Sequence, residues 1–202
     1  TLFNKHMKEL LAGQKVDIPK FNFITGSKEY GHRITSIDKN QPIVIEGIHA
    51  LNEILTSDIP EEEKFKIYIS PLTSVNIDHL NRIPTTDARM LRRLVRDYQF
   101  RNASAIETIS MWPSVRKGEF KWIYNTQEGA NYVFNSFSSI ELSVMKKHAL
   151  PLLNSIDKEN EHFPVAERLI RMLKFFDDIP DTWIPCNSII REFIGGSCYE
   201  DK

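Results

Sequence analysis

The 202-residue chain sets 26 Lys and Arg against 27 Asp and Glu, a net charge of −1, with 41% hydrophobic and 10% aromatic residues. That content suffices for a buried core and excludes both disorder and the broad basic field of a protein that coats nucleic acid. No apolar run approaches membrane-spanning length, and no HExxH or paired-ligand histidine spacing points to a transition metal. Cys186 and Cys198 stand too far apart in sequence for a CxxC redox or zinc motif. With no disulfide framework and no signal-like opening, the chain reads as cytoplasmic and reduced.

Leu2, Phe3, Met7, Leu10 and Leu11 form an apolar stripe at helical spacing, which Gly13 can close. The chain opens inside this helix without an initiator Met, so it is expected to be a fragment of a longer protein. Residues 16–23 are β-prone around Pro19, and Gly26 and Gly31 mark turns before a short strand near 33–37, the pattern of an edge hairpin. The run PIVIEGI over 42–48 is apolar and ends in Glu46 and Gly47. Such runs are typical of strands buried on both faces of a parallel sheet. Further strands are predicted over 64–70 and 131–135. Segments 74–100 and 104–128 read mainly as helix, interrupted at Pro84 and Pro113. The C-terminal part is helical: Val165, Ala166, Leu169, Ile170, Leu173 and Phe176 recur at three- and four-residue steps. Pro180 and Pro185 then break the chain before 189–194. Strands alternating with helices imply an α/β fold with a parallel sheet. The expected organisation is one domain: a helix and hairpin over 1–40, a sheet core with an arginine helix over 41–135, and a helical part over 136–202.

The most informative stretch is RIPTTDARMLRRLVRDYQFR, residues 82–101, with six arginines against two aspartates. At about 100° per residue, Arg89, Arg92, Arg93 and Arg96 share one arc, while Met90, Leu91, Leu94, Val95 and Tyr98 fill the other side. A helix that buries one face and aims several guanidiniums the same way suits a phosphate-rich ligand, because each fork of donors matches phosphate oxygens. The plainer alternative is a solvated, charged face. Glu46, at a strand's carboxyl end beside a glycine, is placed where α/β sheets bind ligands, and could hold magnesium directly or through water.

Several ordered segments resemble the uridine kinase and phosphoribulokinase family of P-loop enzymes. They are LFNKHMKELLAG (2–13), IPKFNFITG (18–26), VIEGIHAL (44–51) and TDARMLRRLVRD (86–97). PTTD (84–87), WPSVR (112–116) and REFIGG (191–196) add a likeness to bacterial uridine-kinase-like proteins, so the similarity covers nearly the whole chain. It implies a P-loop-kinase-like parallel sheet flanked by helices, with a small edge hairpin, using ATP and Mg²⁺ to phosphorylate a sugar hydroxyl of a nucleoside. No GxxxxGK[ST] loop occurs in the sequence. The resemblance therefore implies a kinase missing its first βα unit, which carries the phosphate cradle and the catalytic aspartate. The fragment alone is expected to be inactive and to need that N-terminal P-loop segment as its partner.

Residue by residue, the resemblance makes Glu46 the acid that helps hold Mg²⁺. Arg93 is the lid arginine that reaches toward the nucleoside, and Arg96 and Arg101 are catalytic lid residues that neutralise the transferring phosphoryl group. Asp97 would orient a neighbouring arginine. Phe21, Asn22 and Gly26 fall in the substrate-side hairpin. There Phe21 and Gly26 replace a base-contacting Tyr and His, while Ala103 replaces a further lid arginine and Met111 a base-contacting glutamine. Losing polar readout weakens the case for uridine itself, although Phe21, Phe23 and Trp112 could stack on a base. A non-catalytic nucleotide- or anion-binding module that kept the arginine lid is the alternative. A nucleic-acid partner is opposed by the neutral charge, a membrane partner by hydropathy, and a homo-oligomer stays open.

Overall fold

A computed structural model describes residues 1–22 and 25–199. It is an α/β structure of six helices and small two-stranded sheets, and it divides into two compact units. The first comprises Thr1–Tyr68 and Glu119–Val133, the second Ile69–Gly118 and Phe134–Lys202.

The first unit opens with α1 (Leu2–Leu11), whose N-terminus is capped by Thr1: its hydroxyl accepts the Asn4 N–H at 3.3 Å. A threonine hydroxyl there satisfies one of the N–H groups that a helix start leaves unpaired. At the other end Gly13 takes φ +74°, its N–H bonds to the Leu10 carbonyl, and the Gln14 N–H bonds to that of Glu9. This is the paired closure a glycine outside the helix permits. Met7 and Leu10 of α1 pack with Val16 and Ile59 into a small core. The buried Asn4 ties the helix to a 3-10 turn (Glu53–Thr56), donating to the Ile54 carbonyl and to Ser57 Oγ.

The hairpin is present and more elaborate than expected. Strand β1 (Val16–Asp17) pairs antiparallel with β4 (Ile34–Thr35), and β2 (Lys20–Asn22) with β3 (Ser27–Glu29), in the register Phe21↔Lys28. Asp17 Oδ2 accepts the Gly31 N–H at 2.6 Å and so ties the two pairs together. Phe23, one of the predicted stacking residues, lies outside the described residues.

The strand expected over 42–48 does not form. The segment is coil, with Val44 88% and Ile48 68% exposed. A strand needs a neighbour for its N–H and C=O groups; among the described residues, none pairs with this one. Strand β5 (Ile67–Ser70) lies within the predicted 64–70, and β6 (Tyr132–Asn135) within 131–135. The Lys66 carbonyl accepts from Asn131 and Tyr132, and that of Ser70 accepts from Ser136, so β5 and β6 run parallel. The unit boundary falls inside both strands. The extended parallel sheet expected from sequence is thus reduced to one two-stranded parallel pair among the described residues.

The second unit is a helical assembly around α2 (Thr85–Arg101). The helix α4 (Glu141–Asn154) and the short α6 (Arg191–Ile194) pack on it and α5 (Phe163–Leu173) packs on α4, while α3 (Ala105–Trp122) follows α2 in sequence. Residues 74–84, predicted helical, instead form an irregular segment with an Asn76↔Arg82 bridge. Pro113 does not interrupt its helix but sits inside α3. The start of α3 is fixed by a reciprocal cap: Ser104 N–H and Oγ both bond to Glu107 Oε2, and Glu107 N–H bonds to Ser104 Oγ. Leu91, Leu94, Leu142, Met145, Leu153, Leu169 and Leu173 are essentially inaccessible in this core. Each such side chain contributes about 1.5–3 kcal/mol on burial.

Candidate functional site

Helix α2 buries Met90, Leu91, Leu94 and Val95, as its spacing predicts. Two residues depart from that pattern. Tyr98 is 54% exposed because the last turn of α2 runs past the core, and Arg92 is buried at 8%. Arg92 Nε donates to Glu141 Oε1 at 2.6 Å, Nη2 donates to the other carboxylate oxygen and to the Ser136 carbonyl, and the guanidinium lies 4.9 Å from the Phe193 ring centre. Glu141, at the start of α4, is fully buried. This closed pair occupies the donors of Arg92 within the core, so the arc of four arginines expected from sequence loses one to structure. A buried guanidinium is tolerated only with such a bidentate partner.

Two of the others, Arg93 and Arg96, gather with Arg101 on one carboxylate. Asp97 is 1% exposed, and three guanidiniums surround it. Arg101 Nη1 donates to Oδ1 at 3.0 Å, Arg93 Nε lies 3.0 Å from Oδ2, and Arg96 Nε lies 3.7 Å from Oδ1. Helical geometry explains the grouping, since residues four before and four after Asp97 share its face. The Asp97 carbonyl in turn accepts the N–H of Asn102 and of Ala103. Asn102 adopts the left-handed conformation (φ 52°) that ends the helix. Arg96 also reaches Glu192 of α6, Nη1 to Oε1 at 3.4 Å.

These contacts are ionic rather than fully directional. The Nε atoms of Arg93 and Arg96 and Oδ2 of Asp97 are buried, yet none makes a hydrogen bond of good geometry. Three cations against one buried carboxylate and one exposed glutamate leave positive charge and spare donor capacity at this point of the surface. An arrangement of this kind can accept an anion and hold its oxygens from several sides. The sequence reading gave Asp97 a minor orienting role; its position at the centre of the cluster became legible only when its burial was known.

The hairpin residues that the resemblance assigned to substrate, Phe21, Asn22 and Gly26, lie in the first unit. Phe21 is 48% exposed on the hairpin; Asn22 Nδ2 donates to Glu29 Oε1 at 2.7 Å, and its Oδ1 accepts the Thr25 N–H. Gly26 closes the turn with φ +65°, in the left-handed region that glycine enters most easily. Glu46 lies exposed in the coil that replaces the predicted strand, next to Gly47 at φ +146°. Among the described residues no group of three or more His, Cys, Asp or Glu could by itself hold a metal ion. Trp112 packs on the core of the second unit, whereas Met111 is 43% exposed. No helix of the described residues is long and apolar enough to cross a membrane.

Comparison with known proteins gave one informative result. No curated protein and no solved structure produced a significant match. The family model described as Phosphoribulokinase / Uridine kinase family matches residues 1–143, a span that includes α1, the hairpin, Glu46 and the whole arginine cluster on α2. The chain therefore belongs to the phosphoribulokinase/uridine kinase family, a family of kinases.

Proposed function

We propose that this chain is the lid and substrate side of an ATP- and Mg²⁺-dependent nucleoside kinase that transfers the γ-phosphoryl group to a sugar hydroxyl. The observation that carries this reading is the cluster of Arg93, Arg96 and Arg101 around the single buried carboxylate of Asp97. Phosphoryl transfer is mostly positioning and charge stabilisation, so arginines held beside the phosphates act on the rate directly. In this reading Arg96 and Arg101 neutralise the transferring group, Arg93 turns toward the nucleoside, and Asp97 keeps all three in place. Phe21, Asn22 and Gly26 face the nucleoside, with shape rather than hydrogen bonds reading the base.

Magnesium suits a single exposed carboxylate better than a cage, because it keeps several waters and shares its shell with nucleotide phosphates. Glu46 would supply that one protein ligand, and the ion would draw charge off the phosphates. The 202 residues contain no GxxxxGK[ST] loop. We therefore expect no turnover from this chain alone, and activity once a segment carrying that loop is joined to it.

The test has two arms. Nucleotide binding by the 202-residue chain should fall at least about tenfold in Arg96→Ala and Arg101→Ala, with weak salt dependence, whereas binding to a polyanion would fall steeply with salt. Phosphorylation of a nucleoside should appear only in the protein that also contains the loop. Turnover by the chain alone would overturn the expectation of inactivity, and unaltered nucleotide binding in both arginine variants would overturn the site. A second reading, a binding module without chemistry, is favoured by Phe21 and Gly26 standing where base-reading Tyr and His occur in relatives. Failure of the joined protein to turn over any nucleoside, with nucleotide binding intact, would select it.

A further inference from the structure

The two cysteines, remote in sequence, meet in the second unit. The Cys198 N–H donates to the Cys186 carbonyl at 3.0 Å, and both side chains are free and exposed. A backbone bond holds the two residues side by side, and a disulfide spans Cα separations of about 4.4–6.8 Å. The Cys186 side chain, and next burial, hold the Cys198 thiol above its ordinary pKa.

The segment between them carries structure of its own. It contains α6, whose Glu192 reaches Arg96, and Gly195 and Gly196, both at positive φ. It also walls a cleft of about 520 Å³ lined by Phe100, Ser188, Ile189, Gly196, Ser197 and Tyr199 among others. Arg191 braces the segment by donating to the Asp181, Ile184 and Gly195 carbonyls. A bond between residues 186 and 198 would fasten residues 195–198 across this cleft, one salt bridge away from the arginine cluster.

We propose that Cys186 and Cys198 form a redox modification site, a dithiol that closes to an intramolecular disulfide on reaction with a low-molecular-weight disulfide such as oxidised glutathione. One cysteine thiolate attacks a sulfur of the small disulfide, giving a mixed disulfide and releasing one thiolate. The other cysteine then attacks the protein sulfur of that mixed bond, forming Cys186–Cys198 and releasing the second thiolate. The two cysteines lose two electrons and two protons, and the small disulfide gains both to become two thiols. In a reducing compartment such a bond is transient, as intracellular disulfides usually are.

The geometry, and not mere exposure, drives closure, so the equilibrium depends on the folded state. Native chain treated with oxidised glutathione should give the Cys186–Cys198 cross-link in a peptide map made without reduction. Its equilibrium constant against glutathione should be at least about tenfold higher than in denaturant, where the two thiols are no longer held together. Cys186→Ser and Cys198→Ser should each stop with one glutathione attached. Closure should also slow amide exchange over residues 195–199 by at least about tenfold, since the segment would open only as a loop pinned at both ends. Preferential double glutathionylation or cross-linking between chains would overturn the proposal. So would equal closure in native and denatured protein.

Discussion

The two units stabilise themselves by different means. The second packs α2, α4, α5 and α6 around a continuous core and adds a buried charge pair, Arg92 with Glu141, and a half-exposed one, Arg168 with the buried Asp87. The first rests on Met7, Leu10, Val16 and Ile59, helped by the hydrogen bonds of Asn4, and leaves Val44, Ile48, Ile54 and Phe65 in solvent. The difference bears on function. Positioned chemistry needs side chains locked by their surroundings, and the arginine cluster sits in the unit that can lock them. The hairpin residues proposed to face a nucleoside sit in the unit with fewer buried contacts, the kind of region that opens locally at low cost.

The sharpest way to break this comparison is to open the core pair. Glu141→Ala leaves Arg92 buried and unpaired, and should cost the second unit about 3–5 kcal/mol in urea denaturation. A loss below about 1 kcal/mol would mean that water reaches the pair and the core is looser than it looks. Matched truncations come next. Leu91→Ala and Leu10→Ala should each cost about 2–5 kcal/mol in their own unit. Amides of α1 and the hairpin should exchange faster than those of α4 and α5 in the unmodified protein. The reverse order would invert the comparison.

Acid should also act on the second unit through Asp181. Burial alone would raise its pKa, but hydrogen bonds from Lys147 and His148 outweigh it and hold the carboxyl below its ordinary value. A carboxylate depressed on folding contributes stability above its unfolded pKa of about 3.9, and that stability is lost as pH falls through the folded value. Asp181→Asn should therefore lower stability at neutral pH and flatten the fall below about pH 4. An unchanged acid profile would show the pair to be inconsequential. The smallest effect is expected at Val44. At 88% exposure, Val44→Asp should change stability by no more than about 0.5 kcal/mol, whereas a buried sheet strand would lose several.

Much was legible in the sequence because it depends on local pattern. The spacing of Met90, Leu91, Leu94 and Val95 determined a helix with one buried face; Gly13 determined where α1 stops; the family likeness followed from the order of short motifs. Strands β5 and β6 were visible as apolar, β-prone runs of limited length. The run at 42–48 carried the same signal, yet it forms no strand, because strand formation depends on a partner that periodicity does not reveal.

What only the tertiary structure decided concerns charges and distant pairs. Arg92 and Arg93 are neighbours with the same side chain, but one is locked in the core by Glu141 and the other stands on Asp97. No local rule separates them, since the partner of Arg92 lies on another helix and that of Arg93 on its own; a ligand at Arg93 is the proposal, not the finding. The same holds for Cys186 and Cys198, which spacing excluded as a motif and folding brought together. Sequence determines the elements because backbone preference and amphipathic period act within a few residues. Burial, ion pairing and thiol proximity depend on which elements meet, and only the packed chain sets that.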